Sequence, residues 1–133
     1  MSVPRATITT AAAPRALGPY SQAVVAGDLV FCAGQVGLDP STGRLVPGGV
    51  GPETARAIEN LAAVLAAAGL GLDAVVKTTV FVADLGEFQT LNEVYGRYFS
   101  APHPARATVQ VAGLPAGARV EIEAIAARRA GPA

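Results

Sequence analysis

The sequence predicts an α+β domain, a mixed β-sheet with two helices packed on one face, in the order β-β-β-α-β-α-β-β. Three observations predict it. Two segments repeat apolar residues at the helical interval, one following Pro52 and one from Leu85 to Phe99. Between and around them lie short runs of alternating or continuous apolar residues bounded by Gly, Pro and Asp. The helical segments are separated by a strand-like run, so each can cover the same side of one sheet. With 133 residues there is room for one core, and residues 1–133 are read as a single domain.

Residues 1–13 read as a lead-in with a short strand at Ala6–Thr9, and Pro14–Gln22 as a structured loop around Gly18-Pro19. Ala23–Ala26 and Leu29–Ala33, joined by Gly27-Asp28, read as a hairpin of apolar strands. Gly34 to Gly51 is rich in Gly, Pro and Asp and is expected to be a loop with a tight turn at Pro40–Gly43. Pro52 opens the first helix, Glu53 and Glu59 lie toward its positive end, and Gly69 stops it. Its expected buried stripe is Ala55, Ile58, Leu61, Ala62, Leu65 and Ala66. Asp73–Ala83 is a strand with Val76, Thr78, Val80 and Val82 on one face and Lys77, Thr79 and Phe81 on the other. The second helix, Leu85–Phe99, buries Leu91, Val94, Tyr95, Tyr98 and Phe99, and Pro102 and Pro104 end it.

Two final strands, Ala105–Val111 and Val120–Ile125, are joined by Ala112–Arg119. Arg106, Thr108 and Gln110 share one face of the first; Glu121, Glu123 and Ile125 share one face of the second. If the two close as a hairpin with Ala112 opposite Arg119, Thr108 stands opposite Glu123. Arg106 is then the diagonal neighbour of Glu123, roughly 7–8 Å away. An arginine and a glutamate on one wall can bind a carboxylate and move a proton beside it. The face with Val109, Val111, Val120, Ile122 and Ala124 suits burial under the helices. The other face mixes Phe81 and Ile125 with the polar residues, which points to cover by other subunits, with Arg106 and Glu123 near the boundary.

Composition excludes several classes. Apolar residues make up 51% of the chain and charged ones 15%, so disorder is excluded. Ten basic and ten acidic residues cancel, and Arg128-Arg129 is the longest basic run, which argues against a nucleic-acid partner. A single cysteine, Cys32, suits a reducing compartment and is expected to be inert, because the lone histidine, His103, is no evident base partner. One Cys and one His offer no metal-ligand spacing. No stretch is long enough to span a bilayer and no signal pattern opens the chain, so a cytoplasmic location with no membrane partner is expected.

Gly18-Pro19-Tyr20-Ser21-Gln22-Ala23, Gly34-Gln35, Lys77–Leu85, Asn92, Tyr95, Pro104-Ala105-Arg106 and Val120–Ala126 together resemble the Rid family, also called the YjgF or reactive-intermediate deaminase family. The likeness runs over nearly the whole chain and is greatest to the RidA branch, the 2-iminobutanoate/2-iminopropanoate deaminases. It implies a chorismate-mutase-like fold assembled as a homotrimer, with sites between subunits. It also implies hydrolysis of short enamine/imine acids to 2-keto acids and ammonia, without cofactor or metal. By this resemblance Arg106 holds the substrate carboxylate and Glu123 orients or activates water. Tyr20 and Asn92 line the cleft, and Gly34 supplies backbone contacts. The chain departs from the family at Ala33, where many relatives have Ser, and at Thr108, where many have Cys or Ser. Thr108 keeps a hydroxyl that can donate to a carboxylate but narrows the pocket, and His103 reshapes the rim. These departures bear on the preferred side chain rather than on the reaction. Two other readings stand beside it: a non-catalytic module that binds keto or imino acids through the same arginine, for which Glu123 is dispensable, and the ribonuclease or translation-inhibitor activity implied by some relatives, against which the neutral charge counts.

Overall fold

The computed structural model describes residues 5–128. Six strands and two helices follow in the expected order: β1 (Arg5–Ile8), β2 (Ala23–Ala26), β3 (Leu29–Val36), α1 (Val50–Ala67), β4 (Val75–Val82), α2 (Phe88–Tyr98), β5 (Ala105–Gln110) and β6 (Val120–Ala127). They form one mixed sheet in the order β1-β2-β3-β6-β4-β5. Every pairing is antiparallel except β4 with β5. Val30, Val80, Val120 and Ile122 on one sheet face meet Ile58, Leu61 and Leu65 of α1 and Leu91 of α2 in the core. Among the described residues no helix is long and apolar enough to cross a membrane.

The expected hairpin of the last two strands does not form. β6 instead inserts between β3 and β4, antiparallel to both. Its alternate residues Val120, Ile122, Ala124 and Ala126 are buried, which suits a central strand. β5, richer in polar residues, is left at the edge. There it runs parallel to β4, because α2 carries the chain back to the end from which β4 started. Thr78 stands beside Arg106, Val80 beside Thr108 and Val82 beside Gln110. Neighbours across a ladder share a face, so Arg106, Thr108 and Gln110 lie on the helix side of the sheet. Val109 lies on the open side, 42% exposed. The face assignment of β5 expected from sequence is therefore reversed.

Smaller corrections have local causes. A register shift between Val75 and Lys77 buries Val75 and leaves Val76 exposed, while Thr78, Val80 and Val82 stay inward as expected. β3 continues to Val36, so Gly34 lies within a strand, at an irregularity between Cys32 and Gln35, rather than in a loop. The helix α1 begins at Val50, two residues before Pro52, and ends as expected at Gly69, whose φ of 78° places it in the left-handed region. Gly69 N–H donates to Ala66 O and Leu70 N–H to Leu65 O, each at 2.9 Å, closing the last turn. The buried face of α1 includes polar Glu53, Thr54 and Asn60, while Ala66 is exposed and Ala55 and Ala62 are half-buried. Each buried polar group has a partner. Arg119 N donates to Glu53 Oε1 at 2.9 Å, and Thr54 Oγ1 donates to Val50 O at 2.7 Å. Asn60 Nδ2 donates to Val36 O and Leu38 O. The second helical segment opens with a single 3-10 turn, Leu85–Glu87, capped by Asp84, which accepts from Gly86 N at 2.8 Å. Its buried residues Leu91, Val94, Tyr95 and Phe99 match the expected stripe, with Tyr98 half-buried.

Candidate functional site

On the helix side of the edge strand, Arg106 reaches the aromatic stripe of α2. Phe88 and Tyr95 are seven residues apart, two turns, and so share one side of that helix. The Arg106 guanidinium carbon lies 4.8 Å from the Tyr95 ring centre and 5.5 Å from that of Phe88, within cation–π range of both. Asn92, four residues after Phe88 and three before Tyr95, falls on the same stripe. Thr108 follows Arg106 on the same face of β5. Among the described residues the only ion pairs are Arg56 with Glu59 and Arg119 with Glu87, and Arg106 makes no hydrogen bond. A cation supported by two rings with its N–H groups uncommitted has the chemistry to receive an external anion.

The open face of the sheet carries the second group. Glu123 stands beside Thr79, and Phe31 beside Ile125. Together with Lys77, Cys32 and Ala124 they line a cavity of about 180 Å³. One rung away, the carboxyl of Glu121 packs over Gly34; a Cβ there would lie 2.8 Å from the carboxyl carbon. Burial, and then the charge of Glu123, push the Glu121 pKa up from its ordinary value. Burial also raises the Cys32 thiol to about 11, which keeps it protonated and unreactive.

Tyr20 sits 55% exposed on the loop before β2. Gln22 holds that loop. Its buried carboxamide donates to Thr10 O at 3.1 Å and Pro14 O at 2.8 Å, and accepts from Thr10 N at 2.7 Å.

Of the six residues singled out from sequence, Tyr20 stands apart on its loop and the other five fall into two groups. Arg106, Asn92 and Thr108 gather at the β5 edge on the helix side. Glu123 and the Gly34–Glu121 contact lie on the open side, on strands nearer the middle of the sheet. Arg106 and Glu123 are two strand spacings apart, about 10 Å, on opposite faces. One chain does not bring them together. Sequence reading gave no site role to Tyr95, Phe88, Thr78 or Gln22. Phe88 was findable, because it stands one helical turn before Asn92.

Among the described residues, no three His, Cys, Asp or Glu side chains gather as metal ligands would.

Comparison with known proteins adds to this geometry. Residues 10–128 match the family model described as Endoribonuclease L-PSP. The Mus musculus protein named 2-iminobutanoate/2-iminopropanoate deaminase is 56% identical over 125 residues, spanning 94% of this chain and 93% of that protein. The crystal structure of RidA from an Antarctic Psychrobacter superposes with a TM-score of 0.89 at 48% identity, covering 92% of this chain and 98% of that one. E. coli TdcF with bound serine superposes with a TM-score of 0.87 at 44% identity, covering 93% and 99%.

Proposed function

The chain belongs to the endoribonuclease L-PSP family, and from that premise we propose that it hydrolyses short 2-imino and 2-enamine acids, such as 2-iminobutanoate and 2-iminopropanoate, to 2-keto acids and ammonia. The observation that carries this reading is the uncommitted Arg106 guanidinium on the rings of Tyr95 and Phe88. A planar cation with free N–H groups suits a substrate carboxylate. The serine bound to TdcF is likewise a small molecule with a carboxylate. The mouse relative and its counterparts in other mammals bear the name of this activity.

Because Arg106 and Glu123 lie on opposite faces, the site is completed by a second copy of the chain. One copy supplies Arg106, Asn92 and Thr108; its neighbour supplies Glu123, Gly34 and Tyr20 across the boundary. The open sheet face, with Phe31, Val109 and Leu29 each about two-fifths exposed, supplies an apolar surface for that association. A closed trimer with three equivalent sites and a chorismate-mutase-like arrangement satisfies each face once per subunit.

In this assembly Arg106 anchors the carboxylate and sets the imine carbon before Glu123. The Glu123 carboxylate accepts a proton from water as the oxygen bonds to that carbon and the C=N electron pair moves to nitrogen. Returned to nitrogen, that proton completes a carbinolamine; Glu123 then carries the hydroxyl proton to the same nitrogen, and the C–N bond breaks to release ammonia as the carbonyl forms. Imines react with water unaided, so positioning and one proton relay suffice. No cofactor is called for. The ribonuclease reading suggested by the family's description is disfavoured by ten basic residues balanced by ten acidic ones. Ammonia and keto-acid release from a panel of freshly generated imino acids tests the proposal. Decay no faster than in buffer across the whole panel would overturn it.

A further inference from the structure

We propose that Tyr95 and Phe88 are positioning residues that fix the plane of the Arg106 guanidinium, with Thr78 locking the Tyr95 ring. The proposal rests on the carboxylate-clamp reading and names the parts that make the clamp rigid. Arginine has a long, rotamer-rich side chain, and on an edge strand nothing in the backbone ladder restrains its tip. Here the tip lies 4.8 Å from the centre of one ring and 5.5 Å from another. Rings attract the flat face of a guanidinium, whereas its N–H groups radiate in the plane. Ring contact therefore settles the face and leaves the hydrogen-bonding edge free.

The Tyr95 ring cannot drift. It is buried, its hydroxyl lies 2.7 Å from Thr78 Oγ1, and the Phe99 ring packs 4.5 Å away. Thr78 is fully buried and is the residue of β4 beside Arg106. The chain of contacts is thus closed: the strand partner of Arg106 holds the ring on which Arg106 rests. A core threonine and an inward helix tyrosine, each unremarkable singly, together give the cation a fixed seat. Phe88, 38% exposed, completes the seat from the entrance of α2.

The test uses Phe88→Leu, because Phe88 is partly exposed and leucine keeps most of the packing. Two quantities are read: KM for imino-acid hydrolysis, and the Arg106 Nε–H resonance in protein carrying 15N-labelled arginine. That resonance is assigned by its loss in Arg106→Ala. Phe88→Leu should raise KM about 2- to 5-fold, the range for a partly exposed cation–π contact. It should also move the resonance toward the position of free arginines, and Phe88→Tyr should restore both. Thr78→Val, which removes the hydroxyl while keeping the shape and the backbone pairing with β5, should shift the same resonance. An unmoved resonance in Phe88→Leu overturns the proposal, as does a moved resonance with an unchanged KM. If the parent protein hydrolyses no imino acid, the deaminase reading falls alone, and the resonance still decides whether the rings hold the guanidinium.

Discussion

Glu121 lays its carboxyl group over the bare backbone of Gly34, where a Cβ would stand 2.8 Å from the carboxyl carbon. The contact shields the carboxyl from water and leaves it beside Glu123, and both effects raise its pKa above the ordinary 4.5, burial the more. Folding thus favours the protonated acid. Below the ordinary pKa the folded and unfolded chains are both protonated there and stability is undiminished. As pH rises through the raised folded value, ionisation costs the folded state more than the unfolded one, and stability falls. Glu121→Gln is neutral at every pH. It should melt above the parent at pH 7, and the gap should close as pH is lowered toward 4.5. Thermal unfolding at the two pH values checks this, and a variant that melts lower at pH 7 would contradict it.

Two inactive variants should rescue each other. If each site takes Arg106 from one copy and Glu123 from the next, Arg106→Ala and Glu123→Gln chains mixed in one assembly rebuild intact sites. With random equal mixing, each site draws a competent partner for both halves about one time in four. Co-expressed variants should therefore recover about a quarter of parental activity per site. A site contained within one chain gives no recovery.

The open sheet face should be the seam of that assembly. Phe31, 44% exposed beside Ile125, presents a ring that one chain leaves to water. Phe31→Asp leaves the core on the other face untouched and should convert the assembly to monomers without activity. Light scattering reads the mass, and far-ultraviolet circular dichroism shows whether the monomer keeps its fold. A parent that is already monomeric would remove the shared site.

Much of this architecture was legible in the residues, and the failures have a common cause. Periodicity reports that side chains alternate, and it located the β2–β3 hairpin and the α2 stripe from Leu91 to Phe99. It does not report which neighbour a strand chooses. Arg106, Thr108 and Gln110 alternate in the same way beside β4 or beside β6, and only the parallel crossover through α2 settles the choice. The polar trio then lands on the helix side, and Val109 on the open one. Val76 was misplaced for a related reason: one extra residue at the Val75–Lys77 shift inverts the alternation before it. Buried Glu53, Thr54 and Asn60 defeated the apolar stripe of α1: Glu53 and Asn60 bond distant backbone positions that helical period cannot reveal, and Thr54 hides its hydroxyl on Val50 O one turn back in the helix. Arg106, Thr108 and Glu123 were singled out from alternation along the last two strands, and Tyr20, Gly34 and Asn92 through family likeness; their division between two faces emerged only with the sheet order.

Asn60 should be worth more to the fold than its polarity suggests. Its fully buried amide holds Val36 O at 3.1 Å and Leu38 O at 2.9 Å, where β3 gives way to the following turn. Asn60→Leu leaves both carbonyls to find other donors, and about 1–3 kcal/mol of stability should be lost. Urea unfolding measures the difference. A loss well under 1 kcal/mol would mean that water replaces the amide without strain.

Glu123 separates hydrolysis from mere binding. Glu123→Gln keeps the shape and much of the hydrogen bonding of the side chain but cannot accept a proton from water. If Glu123 is the base, hydrolysis of 2-iminopropanoate should slow by about 10²–10⁴-fold, the usual contribution of a general acid–base group. Affinity for pyruvate, the product, should persist, because Arg106 and its two rings are untouched and lie on the other face of the sheet. Removing a negative charge from the cleft should, if anything, tighten that binding. A protein that only holds such acids predicts something different: the imine decays equally fast with either variant, since no catalysis was present to lose. Both proteins are therefore assayed for ammonia release from the same freshly generated imine, beside a pyruvate titration. Equal rates with intact pyruvate binding would leave a binding module, whereas a large rate loss with intact binding assigns the proton transfer to Glu123.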